Sequence, residues 1–311
     1  MKEYSYIWRL FTTYGIPLVV PCIIYYLIES IRRKKGKNSL DGKVVLITGA
    51  SSGLGEELAH VFYSCGCKVI LVARRNEELI RVKNSLIKTH PNVKKYPPMT
   101  ISLDLTKFDV LNAEVDKILN IYGRLDILIN NAGISYRGRA DKTTIDVDMK
   151  VMMINYFAQI ALAKAVIPLM IKQQSGHIVC VSSVQGKIGI PYRSAYGASK
   201  HALQAWCDSA RAELNKDSIK ITVASPGYIK TSISLNAVTE AGKSYGKMDK
   251  SIQEGYEPKY VANQILSAVL REQNEIMTAP LLVKFACVIR SLIPSVYFKI
   301  MNFRAKKLVN D

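Results

Sequence analysis

The sequence predicts an α/β protein built on a doubly wound parallel sheet, carried behind an N-terminal transmembrane anchor. Three observations lead there. From about residue 41 to residue 280 short apolar runs alternate with helical patterns, as in a parallel sheet with helices on both faces. The first of those runs ends in a glycine-rich turn, Thr48-Gly49-Ala50-Ser51-Ser52-Gly53-Leu54-Gly55. Ahead of it all, the run from Leu10 to Ile28 contains no charged residue.

At about 1.5 Å of rise per residue, Leu10–Ile28 is just long enough to cross a hydrocarbon core of roughly 30 Å. Pro17 and Pro21 kink it, which membrane helices tolerate better than soluble ones. A cleaved signal peptide is the competing reading. It lacks a small-x-small cleavage site, and Arg32-Arg33-Lys34-Lys35 follow soon after the span. Five basic residues after the span against two before it place the C-terminal part in the cytosol by the positive-inside rule. No N-x-S/T sequon follows the anchor, which agrees. Residues 1–37 are thus an anchor with a basic flank.

Strands are predicted at 43–48, 68–73, 99–103, 125–130, 177–182, 219–224 and 275–278. Helical periodicity is predicted at 55–64, 76–89, 111–122, 146–172 and 196–215. No long linker and no repeat divides them, so 38–278 is read as one domain. The first strand runs into the glycine turn and then a helix. Glycine there permits a tight turn and close approach of backbone amides to a pyrophosphate, which the helix N-terminus also attracts. The G-x3-G-x-G spacing differs from G-x-G-x-x-G, and an ordinary strand-to-helix turn is the plainer alternative. In this context Gly49, Ser51, Ser52, Gly53, Leu54 and Gly55 are the candidate dinucleotide contacts of a Rossmann-type sheet. The second strand ends Val72-Ala73-Arg74-Arg75, with no acid for a ribose 2′-hydroxyl. Arg74, helped by Arg75, suits a 2′-phosphate and favours NADP(H) over NAD(H).

Further on, Tyr196-Gly197-Ala198-Ser199-Lys200 lies in a helical pattern. The i, i+4 spacing puts Tyr196 and Lys200 on one face. A nearby ammonium favours the ionised phenol, so a tyrosine whose free pKa is roughly 10 becomes usable in proton transfer. Alone, the pair is equally an amphipathic helix.

Composition narrows the classes. Six scattered cysteines without a C-x-x-C pair, and four histidines without H-E-x-x-H, read as ordinary side chains rather than a zinc or redox site. The net charge of +18 is concentrated at the ends: residues 1–37 and 280–311 carry a net +5 each. Basic residues beside apolar stretches favour an anionic membrane over nucleic acid.

On these motifs the chain resembles the short-chain dehydrogenase/reductase family over roughly residues 41–278. The order is the turn at 48–55, Asp104 after the third strand, and Asn130-Asn131-Ala132-Gly133 after the fourth. Ser183 follows the fifth, thirteen residues before Tyr196, and Pro226-Gly227 follows the sixth. The resemblance implies roles for the matched positions. Tyr196 is the general acid/base, and Lys200 binds the nicotinamide ribose and lowers the tyrosine pKa. Ser183, rather than its neighbour Ser182, hydrogen-bonds the substrate oxygen, and Asn155 holds a water in a proton relay. Asp104 meets the adenine, Asn131 the cofactor ribose region, and Thr231 the carboxamide. It also implies a homodimer or homotetramer. The stretches 131–138, 193–196 and 225–229 look most like a membrane-associated branch of that family. That likeness implies endoplasmic reticulum or peroxisomal membranes and lipid-type substrates, including acyl- or alkyl-dihydroxyacetone phosphate; some members of the branch have a luminal catalytic domain.

The loop after Thr231, to about Pro258, is expected to close over the nicotinamide. Its mixed charges are no phosphate clamp, and Tyr245 and Tyr256 are candidates for an apolar pocket wall. From Pro280 to Phe303 a second apolar stretch is interrupted by Lys284, Arg290, Pro294 and Lys299. It reads as an amphipathic segment on a membrane or over the substrate entrance, or as a helix packed on the core. Two functions follow: a membrane-bound NADP(H) oxidoreductase acting on a lipophilic carbonyl/alcohol pair of steroid, retinoid or ether-lipid type, or a non-catalytic dinucleotide-binding scaffold.

Overall fold

The computed structural model describes residues 39–93 and 96–310, so the anchor expected within 1–37 lies outside the described residues. The polypeptide enters the sheet at its centre. Strand β1 (Val44–Thr48) is buried at every position, which is why it reads as an unbroken apolar run rather than an alternating one. β1 pairs in parallel with β2 (Lys68–Ala73), and β2 with β3 (Met99–Ser102). On its other edge β1 pairs with β4 (Ile127–Asn130). Beyond β4, and past β5 (Tyr136–Arg137), come β6 (Gly176–Val181), β7 (Ile219–Ala224) and β9 (Glu275–Ile276). The order 3-2-1-4-6-7-9 reverses direction between β1 and β4. Ligands of such sheets bind outside the carboxyl ends of the strands at that switch.

Helices cover both faces. α1 (Gly53–Tyr63), α2 (Asn76–Thr89) and α8 (Pro258–Leu270) lie on one. α3 (Leu111–Tyr122), α5 (Ala158–Gln173) and α6 (Ser194–Leu214) lie on the other, where Val44, Leu46, Ile70, Leu128, Ile178 and Val223 meet Leu162, Val166, Met170 and Leu203. The bounds of β2, β7, α2 and α3 coincide with the sequence expectation, and the remaining predicted elements differ by one or two residues at one or both ends. A two-residue ladder between β5 and β8 (Val238–Thr239) was not foreseen. Asp126 ties β1 to β4 at its amino end: it accepts from Val44 N at 2.9 Å, Lys43 Nζ at 3.1 Å and Arg124 Nε at 2.9 Å.

The stretch predicted as one helix at 146–172 is α4 (Ile145–Met152), a π turn (Met153–Phe157) and α5 in continuous succession. Among the described residues, this run alone is long and apolar enough by composition to cross a membrane. Its apolarity has a nearer cause, since Leu162, Ala163, Val166 and Met170 are buried in the core. After a short helix α7 (Lys250–Gln253) and then α8, the C-terminal segment forms α9 (Leu281–Leu292) and α10 (Pro294–Asn310), separated at Ile293-Pro294.

Candidate active site

A cleft of about 620 Å³ opens at the carboxyl ends of the central strands. Its floor begins where β1 ends. Thr48 Oγ1 accepts from the backbone amides of Asn131 and Ala132, both at 3.0 Å, and Asn131 Nδ2 returns a bond to Thr48 O at 2.9 Å. This stitch holds the glycine turn against the loop after β4. The turn tolerates little else: Gly49 has φ +64°, and a Cβ on Gly55 would lie 2.1 Å from Gly49 O. Ser52, at the N-cap of α1, makes no side-chain capping bond. The first-turn amides of α1 are therefore without a side-chain cap at a positive helix end, as an anion site requires.

Beside the turn, Arg75 donates to Ser51 Oγ at 3.0 Å and Ser52 Oγ at 3.1 Å. Arg74 also lines the cleft, and its charge acts on Asp104. The Asp104 carboxyl is held below the usual carboxylate range, first by the Thr106 amide at 3.0 Å, with the Thr106 hydroxyl and Arg74 adding to it. Of the two arginines read from the sequence, the one that reaches the glycine turn is Arg75. Thr231 packs against Gly53 from the opposite wall.

Ser183, Tyr196 and Lys200 line the deeper part of the same cleft and are 6 %, 9 % and 4 % exposed. Ser183 follows β6 and Tyr196 sits in the first turn of α6; the Ser183 hydroxyl, which accepts from Gln185 N at 3.1 Å, acts on the Tyr196 phenol. Ser182 instead turns toward the Lys200 carbonyl. The structure brings Tyr196 and Lys200 together on one face of α6. Lys200 Nζ donates to Val181 O at 2.8 Å and lies 5.8 Å from the centroid of the Tyr196 ring. Burial pushes the Tyr196 phenol up, while Ser183 and the charge of Arg137 pull it down. Burial also lowers the Lys200 ammonium to about 8. Two cations therefore stand near the phenol, Arg137 and Lys200, the latter with its ammonium bonded to the end of β6.

Asn155 is fully buried behind the cleft, in the π turn. Such turns place a side chain out of helical register and recur at functional sites. Its carboxamide accepts from Ile134 N at 2.8 Å and donates to Ile134 O at 2.9 Å and Ser199 Oγ at 3.0 Å. These bonds fix the backbone of the loop after β4 and leave Oδ1 one further acceptor position.

A charge cluster that the sequence reading did not single out stands beside the cleft, which Arg137 lines. Arg137, 6 % exposed, donates to Asp249 Oδ2 through Nε at 2.8 Å and Nη2 at 2.6 Å. Arg193 reaches the same oxygen at 3.3 Å, and burial lowers its guanidinium to about 10. Asp249 lies on the loop after Thr231, so the loop is pinned to β5 and to the start of α6. Tyr245 stands over Arg137, 5.8 Å from ring centroid to guanidinium, and Tyr256 stacks on Tyr260; neither lines the cleft. Ile134, Val238 and Ile252 do.

Comparison with known proteins agrees with this geometry. Residues 43–241 match the short chain dehydrogenase family. The chain is 50 % identical over 304 residues to the dehydrogenase/reductase SDR family protein 7-like of Anopheles gambiae, covering 98 % of this chain and 96 % of that one. It is 46 % identical over 299 residues to the dehydrogenase/reductase SDR family member 7B of Xenopus tropicalis, covering 95 % and 97 %. Among solved structures, a metagenomic short-chain oxidoreductase in complex with NADP superposes with a TM-score of 0.64 at 27 % identity, over 78 % of this chain and 98 % of that one.

Proposed function

The chain belongs to the short-chain dehydrogenase family, an NAD(P)-dependent oxidoreductase acting on a small molecule, and we propose that it is a membrane-bound, NADP(H)-preferring reductase of lipophilic carbonyl compounds. The observation that carries the reading is one cleft with a glycine cradle at one end and Ser183, Tyr196 and Lys200 at the other.

Bound across that cleft, the nicotinamide cofactor supplies or accepts the hydride. The chain's residues handle the oxygen and the proton. The Tyr196 phenol, which burial pushes up from its ordinary range, has a proton to give to the carbonyl oxygen. Ser183 holds the same oxygen, and both donors stabilise the charge that develops on it. Lys200, with one proton on Val181 O, has donors left for the nicotinamide ribose. Asn155 acts as a positioning residue for the 131–135 loop. Support for NADP(H) comes from Arg74 and Arg75 in place of an acid after β2 and from the bonds of Arg75 to Ser51 and Ser52. Asp104, Asn131 and Thr231 are assigned to the adenine, the ribose region and the carboxamide.

Support for a lipophilic substrate comes from the apolar Ile134, Val238 and Ile252 at the substrate end and from the Leu10–Ile28 span. Steroid, retinoid and acyl- or alkyl-dihydroxyacetone phosphate classes all fit that description. The resemblance to a membrane-associated branch favours an endoplasmic reticulum or peroxisomal membrane, the flanking charges favour a catalytic domain in the cytosol, and the family favours a homo-oligomer. The test is NADPH oxidation by the full chain with a panel of lipophilic ketones, beside Tyr196→Phe. Loss of turnover by roughly 10²–10⁴-fold with retained NADPH binding supports the assignment. Activity that survives in Tyr196→Phe sinks it, and silence of both proteins favours the scaffold. Arg74→Ala and Arg75→Ala, assayed for NADPH against NADH, test the cofactor preference; unchanged NADPH affinity in both refutes it.

A further inference from the structure

Eighteen large apolar side chains are exposed among the described residues, and ten of them fall between Leu281 and Phe303. Such crowding is unlike the scattered apolar exposure of an ordinary surface. On α9 the residues Leu281, Phe285, Val288 and Leu292 recur at intervals of four, three and four, which gathers them on one helix face. No residue of α9 is buried, and Leu282 is 81 % exposed.

The pair of helices is nonetheless held to the domain. Tyr297 Oη of α10 donates to Gly189 O, Tyr192 Oη donates to Ala305 O at 3.4 Å, and Arg304 Nη2 donates to Tyr228 Oη at 3.1 Å. Tyr228 lines the cleft, so the bond of Arg304 sets α10, on which α9 packs, beside the cleft. The charges within the segment have one sign, the acid just ahead of it, Glu275, being paired with Lys187 at 2.6 Å. Lys284, Arg290, Lys299, Arg304, Lys306 and Lys307 occur between Ile276 and Asn310, and no acid does. A second copy related by a two-fold axis would set these cations against themselves. An anionic surface neutralises them, and an apolar face rimmed by Lys and Arg is the composition of a helix lying in a headgroup layer.

We propose that α9 and α10 form a second membrane contact, apart from the N-terminal span, which beds the Tyr228 side of the cleft on an anionic bilayer. A lipophilic substrate then reaches the cleft without crossing water; that consequence rests on the function proposed above, whereas the contact itself does not.

The test uses the full chain in vesicles of phosphatidylcholine with about one quarter phosphatidylserine, their acyl chains carrying bromine as a short-range quencher. Leu282→Trp is compared with Ile121→Trp, on the exposed end of α3, after subtracting the wild-type signal of the two native tryptophans. The Leu282→Trp indole is expected to lose roughly half or more of its emission while Ile121→Trp keeps its own. The loss should shrink in pure phosphatidylcholine and in Lys299→Glu/Lys306→Glu/Lys307→Glu, whose circular dichroism verifies the fold. Equal emission at the two positions overturns the proposal, whether a second copy or the N-terminal segment covers the face; Leu282→Cys cross-linking identifies the former. NADPH oxidation with a water-soluble ketone in the same vesicles reports separately on the enzyme reading.

Discussion

Replacing Asp249 with asparagine removes the carboxylate shared by two buried guanidinium groups. Arg137 holds Oδ2 at 2.6 and 2.8 Å and Arg193 at 3.3 Å, with side chains 6 % and 14 % exposed. At an effective dielectric of about 20, a unit pair roughly 4 Å apart is worth about 4 kcal/mol. Removing one partner of a buried pair costs about 3–5 kcal/mol, because the other charge stays buried. Here the two arginines are also left repelling each other. The chain has a cheaper response than global unfolding, since the loop carrying Asp249 can swing into water. A local opening costing 3–4 kcal/mol less should raise amide exchange over residues 238–253 by about 10²–10³-fold. The global unfolding midpoint should move less than that cost implies. Hydrogen exchange read by mass spectrometry measures both regions at once. Exchange in 238–253 within about threefold of wild type, well short of one 1.4 kcal/mol decade, would refute the idea that this cluster latches the loop.

Two other outcomes follow from the site. Burial lowers the folded-state pKa of Lys200 from 10.5 to about 8. Between those values the unfolded chain binds more protons, so this lysine makes stability rise with pH across that window and adds no slope below it. The stability advantage of Lys200→Met over wild type, from urea unfolding, should therefore shrink as pH rises from 8 toward 10; a constant difference contradicts the buried charge. A Cβ at position 55 would meet Gly49 O at 2.1 Å, so Gly55→Ala should abolish measurable NADPH binding. Circular dichroism separates a distorted turn from an unfolded protein, and wild-type affinity would show that the turn is not the cradle.

The sheet was legible because strands buried on both faces write themselves as continuous apolar runs, and β2 and β7 were bounded to the residue. The cleft residues were legible for a different reason: Thr48–Gly55, Ser183, Tyr196 and Lys200 are local motifs with fixed spacings. What stayed hidden is non-local. The Arg137–Asp249 pair spans 112 residues, and β5 and β8 are too short to show a period. The π turn at Met153–Phe157 adds one residue to a helical pattern and leaves its apolar periodicity nearly intact, so the turn read as ordinary helix although the resemblance singled out Asn155. Which arginine faces the glycine turn depends on a single residue of register between Ala73 and Asn76, beyond what alternation resolves. The lysine–tyrosine argument used spacing alone; spacing gave proximity but not the direction of the ammonium.

The order in which the strands pair has a kinetic side. β1 pairs with β4 at Val45 and Ile127, which are 82 residues apart, and Asp126 closes that join. Loop-closure entropy must be met before such contacts return anything, so β1–β4 docking belongs to the slow, high-contact-order part of folding. The β1–β2 pair, 24 residues apart at Val44 and Lys68, can form well before it. In refolding experiments, fluorescence of bound NADPH should lag behind recovery of helical circular dichroism, and Asp126→Asn should lengthen that lag. Simultaneous recovery would mean that β1 and β4 meet early. A nascent chain would carry its glycine turn long before that turn has a wall to face.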